Sequence, residues 1–342
     1  MYSDIEKLLG MRIIKINLIN KRCFDDDVRY IYKLELTDNL YCLKLQDNNF
    51  TSMTRVNKTA ELVKKYNDLG LYCPKYIKLL NGSYSACIMK ENRSFVMWIE
   101  EYVKFEPLRD SSVETSSEDF QLQIAKYIGE VATRLLDFHY PFKSPYIMFE
   151  PFDETACSVD EYEEFFTMVY DDLRHDRNID HETLEYVKDF FYSTRKKIKA
   201  KYLRLPESVF QSDLQDENLI TKNGELKGLI DFNLAGTEKV LTYFINETAY
   251  QENNAIGDKW ISDEYIYKHS ILFKKKYDLF TKYYTLNNLE KEIFEDLYKI
   301  IVPFKYYPLT EIRGYYKMSD YQEVNYRILW MKKIIDQELR LF

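Results

Sequence analysis

The first hundred residues alternate between apolar and polar positions in short runs, which is the pattern of half-buried β-strands. Residues 54–70 interrupt this pattern, because Val56, Ala60 and Val63 follow one another at helical spacing. The predicted strands cover residues 12–19, 28–36, 40–46, 75–80, 83–90 and 95–103. The sequence therefore predicts a small antiparallel sheet that is accompanied by one helix.

The remainder of the chain is mainly helical in pattern. Residues 117–139 form a long amphipathic stretch whose apolar face ends at His139, which we expect to be a hydrogen-bonded core residue. A second helix is predicted to begin at Ser158, and further helices are predicted over 182–203 and from about residue 263 onwards. Short strands are expected only around 209–233. This order predicts an α+β fold with an N-terminal lobe, 1–100, and a larger C-terminal lobe, 101–342.

Composition favours a soluble globular protein. The chain has 342 residues, of which 46% are hydrophobic and 30% charged, and no apolar run approaches the roughly 18 residues of a membrane span. The start of the chain has neither the basic segment nor the cleavage site of a secretory signal, so a cytoplasmic location is expected. The cysteines are odd in number and lack C-x-x-C spacing, which predicts free thiols. They are Cys23, Cys42, Cys73, Cys87 and Cys157.

The charge is negative overall and uneven along the chain. The formal net charge of −8 argues against nonspecific nucleic-acid binding. Residues 1–99 contain 16 basic and 11 acidic residues, whereas 100–342 contain 32 basic and 45 acidic ones. The stretch 150–176 holds ten carboxylates against Arg174 alone. Such a stretch is either a solvated helix face or a surface that attracts a cationic substrate.

The chemistry is concentrated in two neighbouring segments, "SVFQSDLQDENLI" and "LKGLIDFNLAG". They place Asp213 five positions before Asn218, and they end an apolar run with Asp231. Phosphoryl transfer requires metal ligands, a cation on the phosphates and a base beside the attacking hydroxyl. An Asp, an Asn five positions later and an Asp-Phe pair after a strand match the catalytic-loop and metal-binding spacing of kinases. The alternative is that the three residues only cap turns, as Asp and Asn often do.

A kinase would also need a phosphate-binding lysine on its third strand and a glutamate on the following helix. Lys44 lies on the third predicted strand, and Glu61 lies in the helix that follows. Lys44 could instead be a solvated lysine on an edge strand. Glu61 could instead pair only with Lys65 on the helix surface.

With these residues in place, the chain resembles the aminoglycoside phosphotransferase and choline kinase group of protein-kinase-like enzymes. The resemblance implies a bilobal fold that binds ATP, with GTP as an alternative, together with magnesium. It implies that Asp213 is the catalytic base and that Asn218 and Asp231 are magnesium ligands. It further implies an ion pair between Lys44 and Glu61. The backbone of Glu101, Tyr102 and Val103 would be the hinge that meets adenine.

The chain also departs from this group at three places. The usual His-Gly-Asp is replaced by Gln211, Ser212 and Asp213, and the segment "NKRCFDDDV" between the first two strands contains no glycine. The group usually has a second Asp downstream of the Asp-Phe pair. The segment "GTEKVLTYFINE" lacks it, and Glu247 is the candidate replacement as a substrate-binding residue.

The function that we expect is phosphorylation of a hydroxyl group on a small cationic molecule by a monomeric enzyme. An aminoglycoside would be attracted by the acidic stretch, whereas aromatic residues near the C-terminus could contact a quaternary ammonium such as choline. Two other hypotheses remain open: a nucleotide-binding pseudokinase without transfer activity, and a protein kinase. The protein kinase is disfavoured because no activation segment is identifiable after Asp231.

Overall fold

The computed structural model describes residues 2–24, 27–37, 39–103, 105, 107–108, 117–152, 159–249, 259 and 261–339. The chain divides into two compact units. The first unit comprises Met1–Val113 and Asp213–Ala235, and the second comprises Glu114–Ser212 and Gly236–Phe342. The predicted boundary at residue 100 differs from this division, because the segment 213–235 belongs with the first unit rather than with the helical part of the chain.

The first unit is built on an antiparallel sheet of five strands among the described residues, in the order β1-β2-β3-β5-β4. Alternate residues of β2 are buried, as its apolar and polar alternation predicts. The buried positions of β2 and β3 form one core together with β4 and β5. The strands are β1 (Ile13–Phe24), β2 (Asp27–Leu36), β3 (Leu40–Asp47), β4 (Ser85–Lys90) and β5 (Arg93–Glu101).

Two helices accompany this sheet. Helix α1 (Tyr2–Leu9) buries Ile5 and Leu9 in the sheet core, and it is absent from the elements predicted above. Helix α2 (Met53–Asp68) is the predicted helix, and the side chain of Ser52 caps it by accepting a hydrogen bond from the N–H of Arg55.

A hairpin of β7 (Leu219–Lys222) and β8 (Glu225–Leu229) completes the first unit. Tyr72 holds the hairpin through its backbone, because it donates to the carbonyl of Lys227 at 2.8 Å and accepts from Leu229 at 2.9 Å. A Cβ atom on Gly228 would lie 1.7 Å from the carbonyl oxygen of Tyr72. Only glycine permits this close approach of two backbones.

The second unit is mainly helical. Two short strands, β6 (Glu207–Phe210) and β9 (Gly236–Lys239), pair with each other. They precede and follow in sequence the segment 213–235, which belongs to the first unit. Aromatic stacking is prominent in its core, where the rings of Phe244 and Phe280 lie 4.2 Å apart. The helices are α3 (Glu118–Arg134), α4 (Glu161–Leu173), α5 (His181–Tyr202), α6 (Val240–Thr248), α7 (Asp263–Phe280), α8 (Asn288–Ile301), α9 (Tyr306–Lys317) and α10 (Tyr321–Asp336).

The predicted α+β class is confirmed, whereas several boundaries are wrong. Residues 75–80 do not form a strand; they make a single bridge to β5 through Tyr76. His139 lies beyond the end of α3 and is exposed, so it is not the core residue that helical spacing suggested. The predicted helix start at Ser158 lies outside the described residues, and α4 is capped by Asp160, which accepts from the N–H of Glu163.

No helix within the described ranges combines the length and hydropathy needed to cross a bilayer. The described cysteines are free thiols. Cys157 lies outside the described residues.

Candidate active site

One face of the sheet in the first unit carries polar side chains and is opposite to the buried core. On β3, Leu43 and Leu45 point into the core, so Lys44 between them points to the other face. The cross-strand partners of Lys44 are Ile31 on β2 and Trp98 on β5. We call this surface the Lys44 face.

Lys44 is buried, and its ammonium group lies between two carboxylates. Its Nζ atom is 2.7 Å from Oε1 of Glu100 and 3.2 Å from Oδ1 of Asp231. Burial alone would lower the pKa of Lys44, but Asp231 and Glu100 together raise it well above its ordinary value. Burial also raises the pKa of Glu100, and Lys44 opposes this rise. Lys44 is therefore a charged ammonium at neutral pH.

The expected ion pair between Lys44 and Glu61 is wrong. Glu61 lies on the exposed side of α2 and pairs with Lys58 at 2.8 Å, three residues earlier on the same helix. The buried side of α2 presents residues such as Val56 and Val63 to the first unit. The partner that the helix was expected to supply comes instead from the end of β5, as Glu100.

Asp213 and Asn218 are held together by direct hydrogen bonds. The Nδ2 atom of Asn218 donates to Oδ2 of Asp213 at 2.8 Å and to the carbonyl of Asp213 at 3.1 Å. Burial, followed by the charge of Asp231, raises the pKa of Asp213 to about 6. A carboxylate with a pKa near this value is a suitable general base at neutral pH.

The backbone around these residues is strained. Ser212, directly before Asp213, has φ of 65°, and Asp231 has φ of 57°. Non-glycine residues with left-handed conformations are uncommon, and they occur most often at functional sites. Ser212 is fully buried, and its Oγ atom donates to the carbonyl of Phe210 at 3.3 Å.

Helix α2 fixes the position of the residues after Asp231. The ring of Phe232 packs edge-on against Tyr66 at 5.1 Å. The guanidinium of Arg55, which is buried, donates to the carbonyl of Ala235 at 3.0 Å. Both ends of the short turn after Asp231 are thus anchored to one helix.

The predicted hinge begins at Glu101, the last residue of β5. The N–H of Glu101 donates to the carbonyl of Lys75 at 2.9 Å, and the N–H of Tyr102 donates to that of Leu40 at 3.2 Å. An amide N–H that already has an acceptor is not available to a nucleotide base. Of the three residues, Val103 is the one for which the described residues show no such acceptor.

Glu247 belongs to α6 in the second unit and is 8% exposed. Burial lowers the pKa of Lys305 to about 8, and the charge of Glu247 opposes this change. The ammonium of Lys305 donates to the carbonyls of Asn246 and Ala249. Glu247 thus has a cation of the protein in its surroundings.

The residues expected to bind magnesium have suitable atoms. Hard divalent cations prefer carboxylate and amide oxygens, and magnesium commonly binds through one or two protein groups plus phosphates and waters. Asn218 uses its amide nitrogen for both bonds to Asp213, which leaves the amide oxygen for a cation. The described ranges contain no group of three or more His, Cys, Asp or Glu side chains that could hold a metal. The donors fit a cation that binds together with a nucleotide.

Glu100 is a site residue that was not among the predicted ones. The apolar run from Phe95 to Ile99 is followed by Glu100, and Trp98 is paired with Lys44. A residue two positions after Trp98 projects from the same face of the sheet. In the sequence, the available signal was a carboxylate that directly follows an apolar run; the strand pairing then places it on the Lys44 face.

No protein-family model and no curated protein sequence matches the chain. Solved structures do match it over nearly the full length. An amicoumacin kinase in complex with AMP-PNP and Ca²⁺ gives a TM-score of 0.55 at 12% identity, covering 98% of this chain and 92% of that one. A microcompartment-associated aminopropanol kinase gives 0.56 at 9% identity, with coverages of 96% and 95%.

A spectinomycin phosphotransferase in complex with ADP and spectinomycin gives a TM-score of 0.50 at 13% identity, covering 98% of this chain and 95% of that one. At such identities the likeness concerns the fold. The chain therefore has the protein-kinase-like α+β fold of these small-molecule kinases, and the resemblance to the aminoglycoside phosphotransferase and choline kinase group holds at that level.

Proposed function

We propose that the protein is a kinase that transfers the terminal phosphoryl group of ATP to a hydroxyl group of a small cationic molecule. The observation that carries this proposal is the arrangement around Lys44. A buried ammonium lies within 3.2 Å of Asp231, and Asp231 in turn raises the pKa of Asp213, which Asn218 holds in place. A cation for phosphates, oxygen donors for a metal and a base are the groups that phosphoryl transfer needs.

Each residue then has a separate role in the reaction. Lys44 neutralises phosphate oxygens, and Glu100 keeps it charged and oriented. Asp213 accepts the proton of the acceptor hydroxyl as the oxygen attacks the phosphorus atom. Asn218 and Asp231 would hold magnesium, which supplies positive charge to the phosphate oxygens when it is bound. Because the chemistry is mainly positioning and charge stabilisation, these groups are sufficient without a covalent intermediate.

The hinge completes the nucleotide site in this proposal. The backbone of Glu101, Tyr102 and Val103 would lie along the adenine, and the N–H of Val103 would be its donor. The solved kinases of the same fold support ATP as the nucleotide, since one contains AMP-PNP and another contains ADP. The cytoplasm, where ATP is supplied, is the proposed location.

The acidic stretch of the second unit supports a cationic acceptor. Burial raises the pKa of Glu161 to about 7, and the charges of Glu164 and Asp160 add to this rise. An approaching ammonium group would relieve the repulsion between these acids. Other acids of the stretch already have partners in the protein, as Asp172 has in Arg313 at 2.7 Å. Glu247 is the less favoured contact for the acceptor, because Lys305 lies near it.

The decisive experiment measures ADP release from ATP and magnesium in the presence of candidate acceptors. The panel should contain aminoglycosides, choline, ethanolamine, aminopropanol and amino sugars, and Asp213→Asn provides the control. Stimulation by one acceptor in the wild-type protein, with a loss of at least about 100-fold in the variant, is expected for a general base. Equal turnover in both proteins would refute the role of Asp213, and ATP binding without transfer to any acceptor would favour a pseudokinase.

A further inference from the structure

Two arginines face each other on neighbouring strands of the Lys44 face. Arg22 on β1 is the direct cross-strand partner of Arg29 on β2. Arg29 pairs in turn with Gln46 on β3, while Ile31, two positions further along β2, pairs with Lys44. Directly paired residues project from the same face of a sheet. The two guanidinium groups and the ammonium of Lys44 therefore lie on one surface.

This pairing is unfavourable for the isolated sheet, since like charges in directly opposite positions destabilise strand pairing. Asp27 relieves it only in part. Its carboxylate accepts from Nε of Arg29 at 2.8 Å and lies 2.8 Å from Nη2 of the same residue. This bidentate contact occupies one edge of a single guanidinium group. Arg22 is exposed, with its guanidinium 5.3 Å from the ring of Phe24.

Arg29 is held in place by its surroundings. Asn48 donates to Asp27 at 3.1 Å, and the N–H of Thr51 donates to Asn48 at 2.8 Å, so the carboxylate that orients Arg29 is itself fixed. The guanidinium lies 5.7 Å from the ring of Phe50, and the side chain of Arg29 is 21% exposed. An ordered, partly exposed guanidinium loses little freedom when it binds an anion.

The strand register places Arg29 near Lys44 on this face. Gln46, the cross-strand partner of Arg29, is two residues from Lys44 on β3, and side chains two positions apart on a strand project from the same face. Arg29 is therefore a diagonal neighbour of Lys44, to which the proposed function assigns the phosphates.

We propose that Arg29, with Arg22 beside it, binds the terminal phosphate of the nucleotide and takes the part that backbone amides play in a glycine-rich loop. This inference rests on the proposed function. The sequence between β1 and β2 contains no glycine, the residue whose small size lets a backbone approach a phosphate closely. The planar fork of an arginine matches phosphate oxygens in a bidentate manner.

The test compares ligands that share a base but differ in phosphates. Affinities for ATP and for adenosine are measured by calorimetry, in the presence of magnesium, for the wild type and for Arg29→Ala, Arg29→Lys and Arg22→Ala. Arg93→Ala is the matched control, because Arg93 also forms an ion pair with an aspartate of this sheet, Asp47. Asp47 is aligned with the core positions of β3 rather than with Lys44.

We expect Arg29→Ala to weaken ATP binding by about 10- to 100-fold, as the loss of a charge-assisted hydrogen bond does, and adenosine binding by less than about twofold. Arg29→Lys should lie between the wild type and Arg29→Ala, because a lysine keeps the charge without the fork. Arg22→Ala should cause a smaller loss, of about two- to fivefold, because its side chain is exposed. Arg93→Ala should change neither affinity.

The double variant Asp27→Asn/Arg29→Ala excludes an indirect cause. If the loss of ATP affinity came from the released carboxylate of Asp27, the double variant would recover the wild-type value, and the inference would be wrong. Equal effects on ATP and adenosine, or no effect on either, would also overturn it while leaving the kinase proposal intact. Failure of the wild type to bind ATP at all would overturn both.

Discussion

The most informative perturbation of the site is Glu100→Gln, because it removes one of the two carboxylates beside Lys44 without changing the size of the side chain. The resemblance to kinases points to Glu61 as the partner of Lys44, whereas the structure has Glu100 in that position. If Glu100 is the partner, Glu100→Gln should destabilise the protein and Glu61→Gln should not; if Glu61 is the partner, the reverse should hold. Glu61→Gln is therefore the matched control.

The expected magnitude follows from the distances. At an effective dielectric constant of about 20, unit charges 2.7 Å apart attract by roughly 6 kcal/mol, and those 3.2 Å apart attract by roughly 5 kcal/mol. Removing one partner of a buried pair usually costs roughly 3–5 kcal/mol, since the remaining charge stays desolvated. Asp231 still compensates Lys44 in the variant, and glutamine can accept a hydrogen bond. We therefore expect Glu100→Gln to lower the free energy of unfolding by about 2–3 kcal/mol.

The control substitution should have almost no effect. The pair between Glu61 and Lys58 is exposed, and exposed ion pairs contribute at most about 1 kcal/mol and often nothing measurable. Urea denaturation followed by circular dichroism gives both values, provided that the slope with denaturant concentration is unchanged. A loss in Glu61→Gln that equals or exceeds the loss in Glu100→Gln would refute the assignment. The kinetics should agree, with kcat/KM for ATP falling at least about tenfold only in Glu100→Gln.

Three further predictions concern other parts of the molecule. Burial and then the charge of Asp231 raise the pKa of Asp213 to about 6. The kcat/KM of the proposed reaction should therefore fall as the pH drops below about 6, where Asp213 becomes protonated. A pH–rate profile that is flat from pH 5 to 8 would contradict this. Burial raises the pKa of Glu238 from 4.5 to about 8, so the folded state keeps a proton that the unfolded chain releases, and stability is lost as the pH rises between these values. In urea denaturation, the free energy of unfolding of Glu238→Gln minus that of the wild type should increase by about 3 kcal/mol from pH 5 to pH 8. A difference that does not depend on pH would count against a protonated Glu238. Ser212→Gly should be about 1 kcal/mol more stable than Ser212→Ala, since only glycine adopts a φ of 65° without strain; the reverse order in thermal denaturation would rule out the left-handed conformation.

The sheet was largely predictable because its signal is local. Alternation of apolar and polar residues determines which residues of β2 are buried, and it also sets Lys44 apart from its neighbours Leu43 and Leu45. The spacing of Asp213, Asn218 and Asp231 is equally local, and the structure brings the first two into direct contact. Their catalytic and metal-binding roles stay predictions.

The errors arise where the outcome depends on partners distant in sequence. Helical periodicity gave the buried side of α2 correctly and already places Glu61 on the opposite side, so the error came from the resemblance to kinases, which requires a glutamate on this helix. Residues 75–80 have the composition of a strand, yet they lie beside β5 with a single bridge through Tyr76, because β4 occupies the neighbouring position in the sheet. Strand order is a tertiary property that propensity cannot supply.

The charges of the first unit explain why nucleotide and divalent cation should bind together. Lys44 already has Glu100 and Asp231 beside it, and Asp231 raises the pKa of Asp213, so this part of the unit holds more carboxylates than ammonium groups. A triphosphate that approached Lys44 alone would meet these carboxylates and be repelled. A cation held by Asn218 and Asp231, as we propose, would reverse that balance, since it would attract both the carboxylates and the phosphate oxygens. In the proposed reaction, the repulsion among these acids would be relieved in the complex of nucleotide and metal, so we expect nucleotide to bind productively together with its metal.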